Sequence, residues 1–238
     1  MASSTVTAAA DSPRQPIAPW WHTVLVASAV AGLSLASWYQ HGPPNVGVPG
    51  ISSRLSTYFT VIVAEWSVIL LIWLGLRRRG DTMQALLSPR WPAPRAFFRD
   101  LGLAAGFFVL IALALSPLAE RLAGDTKNMK VAYFPQTALE LAAWLAMSAT
   151  AGFCEEFIFR GYLMRQFSAW TRSRAWGIVL QAVAFGLAHG YYNKGVMVII
   201  GIEGVALGLF THWRKSLRPG MLAHGLQDSI GGIVAFFS

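Results

Sequence analysis

The chain has 238 residues, of which 55% are hydrophobic and only 13% are charged, whereas a soluble domain usually carries about 25% charged residues. Its mean hydropathy is +0.47, so the composition argues against a soluble protein and predicts an all-α membrane protein. The net charge of +8 indicates basic loops on the inner side of a membrane, and not nucleic-acid binding.

Seven apolar runs predict a polytopic bundle of about seven transmembrane helices. The runs are residues 20–39, 57–76, 101–119, 136–168, 175–192, 195–212 and 219–237. Three regions follow from this pattern. They are a disordered cytoplasmic tail at 1–19, N-terminal transmembrane helices with a surface stretch at 20–134, and a second helix bundle at 135–238.

The first run has aromatic residues at both ends, which is typical of a membrane span with interfacial belts. A cleaved signal peptide is the alternative, because Ser34-Leu35-Ala36 resembles a small-x-small cleavage site. Arg14, the only basic residue before this run, is remote from it, so the features favour an uncleaved span.

Basic residues cluster at 77–99, 160–174 and 214–218, which is every second loop. The positive-inside rule places these loops and the N-terminus in the cytoplasm, and the C-terminus outside. The sequence therefore predicts an integral multi-pass cell membrane protein in contact with lipid.

Two residues inside the runs, Glu65 and Cys154, belong to none of the polar motifs. Glu65 lies within the second run without an obvious local partner, so we expect it to face the bundle or to be protonated. Cys154 is the only cysteine of the chain, which excludes an intramolecular disulfide framework and a cysteine-rich metal site. We expect Cys154 to serve packing.

Two adjacent glutamates and an arginine stand in the fourth run, which as a helix would be about 50 Å long and exceeds the hydrocarbon core. Glu156 and Arg160 are four residues apart and share a helix face, so we expect them to pair. Glu155 is turned about 100° away, which leaves this carboxylate free to act. An ionisable group in an apolar bundle indicates a functional site.

Further polar groups stand on later runs. His189 ends the fifth run, and His224 and Asp228 lie four residues apart on the last one. Measured along the helices from the basic loops, Glu155 and His189 lie deep in the membrane, while His224 lies only about 9 Å from its loop. These groups meet only if helices tilt or the helix that carries the glutamates bends.

The polar set suits the activation of water. A buried carboxylate can take a proton from water, and a histidine can orient that water or stabilise an oxyanion. Alternatively, Glu155, His189, His224 and Asp228 hold a zinc ion, since nitrogen and oxygen ligands in fours suit zinc. The His-Glu-x-x-His spacing of common zinc peptidases is absent, so a mechanism without a cofactor remains the other possibility.

Three motifs resemble those of the CAAX prenyl protease and bacteriocin-processing (CPBP) family of intramembrane proteases, which includes the type II CAAX prenyl endopeptidases. Residues 155–160 match its Glu-Glu-x-x-x-Arg motif, and residues 185–189 match its Phe-x-x-x-His motif. Residues 224–228 match its His-x-x-x-Asn motif, except that Asp228 stands where asparagine is commonest. The resemblance covers roughly residues 135–235.

The resemblance implies a glutamate-dependent or metal-dependent endopeptidase with a cavity inside the bundle at 135–238. It implies that Glu155 is the catalytic base, that His189 acts with it on water, and that His224 and Asp228 line the cavity. Glu156 and Arg160 then hold the helix in place. The implied substrate is a peptide or a membrane-associated or prenylated protein.

Two other functions compete with the peptidase. A membrane scaffold that binds partners would retain the motifs as a structural network. A metal-ion carrier would use His189, His224 and Asp228, although the chain shows no obvious inverted repeat.

Overall fold

A computed structural model of the chain describes residues 15–39, 52–78, 82–87, 91–122, 133–190 and 193–238. Over these ranges the ordered elements are all helices, so the predicted all-α bundle is confirmed. The elements are α1 (Trp20–Tyr39), α2 (Ser53–Arg77), α3 (Met83–Leu87), α4 (Pro94–Leu122), α5 (Ala138–Glu155), a π-helical segment (Glu156–Leu163), α6 (Met164–Thr171), α7 (Arg174–Ala188), α8 (Lys194–Arg214) and α9 (Arg218–Phe237).

Helices α2, α4 and α8 are long and apolar enough to cross a membrane, and α1 and α7 supply shorter apolar helices. Large hydrophobic side chains point outward, as expected for a surface that faces lipid; examples are Leu70, Leu113 and Trp213. Five of the seven predicted runs each fall on one helix, and the run at 136–168 covers α5, the π-helical segment and part of α6. The run at 175–192 extends past α7, which ends at Ala188, and its last two residues lie outside the described ranges. The number of membrane crossings, their orientation and the retention of α1 stay predictions.

The chain ahead of α1 is fixed to the rest of the protein through Gln166. The backbone N–H groups of Ile17 and Ala18 donate to its Oε1 at 2.7 and 3.2 Å, and its amide nitrogen donates to the Ala18 carbonyl. Most of the predicted disordered tail, residues 1–14, lies outside the described residues. The last residues of the predicted tail belong to the packed structure.

The long helix predicted at 136–168 is present as a continuous helical path over 138–171, but it changes geometry within the Glu-Glu motif. α5 ends at Glu155, and the next eight residues form a π-helix in which all side chains are buried. The Met164 N–H, for example, donates to the Phe159 carbonyl five residues back. π-Helical turns inside α-helices occur often at functional sites.

Helices α5 and α9 cross at glycine residues. A β-carbon on Gly152 would lie 2.6 Å from the Gly225 backbone nitrogen and 2.8 Å from the Met221 carbonyl oxygen. Farther along, a β-carbon on Gly232 would overlap the Trp144 ring. Small residues let the two backbones touch, which brings the Glu-Glu motif next to the histidine motif of α9.

Gly204 and Gly208 lie where α8 approaches α7 closely. A β-carbon on Gly204 would lie 3.1 Å from the Ala182 α-carbon, and one on Gly208 would lie 2.9 Å from the Gln181 amide nitrogen. These glycines therefore let α8 pack closely against α7, the helix that leads to His189.

We expect Gly152→Ala to lower the free energy of unfolding by about 1–3 kcal/mol, because backbone atoms of α9 must move to admit the methyl group. Gly102→Ala in α4 is the matched control, since its β-carbon would meet nothing within 4 Å. Melting temperatures of both purified variants in one detergent measure the difference. Equal melting temperatures would contradict the close crossing of α5 and α9.

Candidate active site

A cavity of about 460 Å³ lies inside the bundle. Residues from α1, α2, α5, the π-helical segment, α8 and α9 line it, together with the end of α7. All four predicted catalytic residues are on its wall. The ionisable side chains that face it among the described residues include Glu65, Glu155, His189, Glu203, His224 and Asp228.

Glu156 and Arg160 form a fully buried ion pair, and neither residue lines the cavity. The Arg160 Nη1 donates to the Glu156 Oε1 at 2.8 Å, and both side chains have no exposed surface. The guanidinium also lies over the Phe185 ring, 4.2 Å from its centroid, which is a favourable cation–π distance. The predicted pairing is confirmed. The cation–π contact with Phe185 connects the π-helical segment to α7.

His224 is held by the same carboxylate. Its Nδ1 lies 3.2 Å from the Glu156 Oε1, and since that oxygen also accepts from a guanidinium, the imidazole is the donor. The His224 Nε2 is thereby turned toward two other carboxyl groups. It lies 3.7 Å from the Glu155 Oε2 and 3.6 Å from the Asp228 Oδ2.

His189 lies one residue past the end of α7, and its ring orientation is set by its own backbone. Its Nδ1 donates to the Phe185 carbonyl oxygen at 2.8 Å, because a carbonyl can only accept. The Nε2 then faces the Glu155 Oε2 at 3.9 Å. The Phe185 ring packs edge-on against both His189 and His224, which limits the movement of the two imidazoles.

Glu155 is the point at which these contacts converge. Its Oε2 is buried, has no hydrogen-bond partner in the described part of the chain, and lies within 4 Å of the Nε2 atoms of both histidines. Glu155, His189 and His224 therefore meet, although the sequence predicted different depths for them in the membrane. Separations of 3.7–3.9 Å exceed a direct hydrogen bond and suit contact through a water molecule.

Asp228 lies at the edge of this arrangement. Its backbone carbonyl accepts a hydrogen bond of 2.8 Å from the Trp144 indole, which attaches the fourth predicted residue to α5. Its carboxyl group remains partly accessible to the cavity, with 31% of the side chain exposed. Asp228 is thus placed to contact a bound molecule.

One acidic residue of the cavity wall, Glu203, was not predicted from the sequence. Glu203 on α8 is buried, faces the cavity, and lies beside His224 and Gln227. A carboxylate inside the run at 195–212 is the same signal that singled out Glu65, which also lines the cavity. Cys154 is fully buried in the hydrophobic core, in agreement with the predicted packing role.

The donor types around the cavity, imidazole nitrogen and carboxylate oxygen, are those that zinc accepts. Their arrangement does not fit a metal ion, however. Over the described ranges, no group of three or more His, Cys, Asp or Glu side chains is placed so that it could hold one.

Residues 137–230 match the family model described as type II CAAX prenyl endopeptidase Rce1-like. The match covers less than half of the chain, and all the motif residues discussed above fall within it. It confirms the resemblance that the three motifs indicate. No curated protein and no solved structure matches the chain.

We expect Arg160→Met to lower the free energy of unfolding by about 3–5 kcal/mol, because it leaves the buried Glu156 carboxylate without its cation. Adding Glu156→Gln should restore much of that loss. Arg99→Met is the control, since it removes a largely exposed partner of Asp100. Denaturation in detergent of the wild type, Arg160→Met, Glu156→Gln, the double variant and the control measures the coupling, and additive effects of the two changes would contradict a mutually dependent pair.

Proposed function

We propose, from the match of residues 137–230 to the type II CAAX prenyl endopeptidase Rce1-like family model, that Glu155 activates water to hydrolyse a peptide bond inside the bundle. The family match and the long apolar helices support a membrane peptidase. The observation that carries the finer proposal is the convergence of the Glu155 Oε2 with two histidine Nε2 atoms at a cavity wall.

Glu155 and His189 are placed to hold the attacking water between them. The Glu155 Oε2 is an acceptor, and the His189 Nε2 is one too when its Nδ1 donates to a carbonyl. A water that gives one hydrogen to each has its oxygen lone pair directed toward a substrate carbonyl. Glu155 takes the proton as the water oxygen attacks, and positioned general bases of this kind accelerate reactions by about 10²–10⁴-fold.

His224 is placed to stabilise the oxyanion that the attack creates. Three carboxyl groups, those of Glu155, Glu156 and Asp228, surround its imidazole. When the ring carries both protons, its Nε2–H can donate to the oxyanion. Asp228 orients this side of the ring, while Glu156 fixes the other.

Collapse of the tetrahedral intermediate completes the reaction. The carbon–nitrogen bond breaks, and the proton held by Glu155 passes to the departing amine. The products are a new carboxyl terminus and a new amino terminus, and Glu155 is again an anion. No covalent intermediate is needed.

The substrate we propose is a peptide segment of a membrane-associated or prenylated protein. The cavity has mostly apolar walls and lies among helices whose outer faces are hydrophobic. A substrate that reaches the cavity therefore has to be stable next to apolar side chains, as a membrane-associated segment is. The family model that residues 137–230 match supports the same class of substrate.

Glu155→Gln and His189→Gln should each lower kcat/KM on a cleaved peptide by about 10²–10⁴-fold while the melting temperature stays unchanged, because the first removes the base that takes the proton and the second removes the imidazole nitrogen that orients the water. The assay is cleavage of a fluorogenic peptide library by the purified protein in detergent or lipid. Glu120→Gln, at an exposed position near the end of α4, is the control. Undiminished cleavage by both variants would overturn the assignment, and lower melting temperatures without any cleavage would favour a scaffold.

Chelator treatment separates a glutamate mechanism from the zinc alternative. We expect activity to survive prolonged incubation with 1,10-phenanthroline, since no three-donor group is present within the described residues. The rate before and after incubation is the readout. A loss of activity that added zinc restores would instead support a metal held by Glu155, His189, His224 and Asp228.

A further inference from the structure

Glu65, midway along α2, is a buried carboxyl group that the proposed chemistry does not use. Only 9% of its surface is exposed, and both carboxyl oxygens are buried without a hydrogen-bond partner among the residues described. It lies outside the segment that matches the family and still lines the cavity. A charged group buried without a cation is costly, and the neighbour that acts on Glu65 most strongly is another carboxyl group, that of Glu155, so a cation that enters the cavity would be stabilised here.

The surroundings of Glu65 are acidic. The charges of Glu155, His224 and Asp228 act on it, and Glu203 lies on the same cavity wall. Four carboxyl groups thus face the cavity against two imidazoles, and no lysine or arginine is among the described residues that line it. A cationic group would be attracted to such a cavity, whereas a carboxylate would be repelled.

The walls next to Glu65 are apolar. Val61, Ala64 and Val68 of the same helix line the cavity, as does Phe159 from the π-helical segment. Lysine and arginine combine an aliphatic stem with a cationic head, so they can lay the stem on an apolar wall and place the charge at a polar group. A long basic side chain therefore fits both features of this part of the cavity.

We propose that Glu65 binds the cationic side chain of a substrate lysine or arginine close to the scissile bond, and so determines specificity. This proposal rests on the proposed peptidase function. It assigns to α2 the recognition of the substrate, while the residues on α5, α7 and α9 perform the hydrolysis.

A different arrangement of the same carboxyl groups needs no cation. Glu65 is close enough to Glu155 for the two to interact, so a proton shared between their carboxyl groups would satisfy both. In that arrangement Glu65 holds a proton together with Glu155 and does not bind the substrate. Glutamine at position 65 would then change the cleavage of basic and neutral peptides by the same factor.

The test compares peptides that differ only by lysine or its neutral analogue norleucine, placed in turn at each position beside the cleaved bond. With the purified full-length protein in lipid, we expect one position at which lysine raises kcat/KM by about tenfold or more, which is the range for a hydrogen bond to a charged group. Glu65→Gln should reduce this ratio to about one by lowering kcat/KM for the lysine peptide more than for the norleucine peptide. Glu120→Gln should keep the wild-type ratio.

Binding of the same peptide pair, measured by calorimetry, separates the two proposals. Tighter binding of the lysine peptide that Glu65→Gln abolishes, without cleavage of either peptide, would support the cation site and contradict the hydrolysis. Cleavage of both peptides at equal rates at every position would contradict the cation site and support the hydrolysis. A lysine preference that survives in Glu65→Gln would also overturn the assignment of Glu65.

Discussion

The buried ion pair of Glu156 and Arg160 is the interaction on which the site depends. A guanidinium without exposed surface has to be paired, and its partner here also accepts from His224. The arginine lies on the Phe185 ring, and the backbone of Phe185 holds His189. One ion pair thereby connects the π-helical segment with both imidazoles, and Glu155 is left facing them.

Helix packing places this network within reach of the cavity. Glycines at 152 and 225 allow α5 and α9 to touch, and glycines at 204 and 208 do the same for α7 and α8. The N-terminal helices complete the enclosure, since Ser34 of α1 and Glu65 of α2 line the same cavity. The region outside the family match is therefore part of the site, and it supplies the carboxyl group proposed to select the substrate.

The sequence predicts the helices and the pairing of Glu156 with Arg160 because both depend on local spacing. Hydropathy marks each apolar run, and four residues of separation place two side chains on one helix face. The π-helical geometry is not predictable in this way, since the residues of Glu156–Leu163 suit an α-helix as well. The approach of His189 to His224, and the position of Glu65 beside Glu155, depend on how separate helices cross, and composition and periodicity carry no information on that.

The central claim is that water is activated at Glu155. Its most direct test is mass spectrometry of the products formed in H₂¹⁸O by equal amounts of folded wild-type protein and Glu155→Gln. We expect a single ¹⁸O atom in the new carboxyl terminus made by the wild type, and almost no product from Glu155→Gln. Labelled product in equal amounts from the two proteins would contradict it, because hydrolysis would then proceed without this carboxylate.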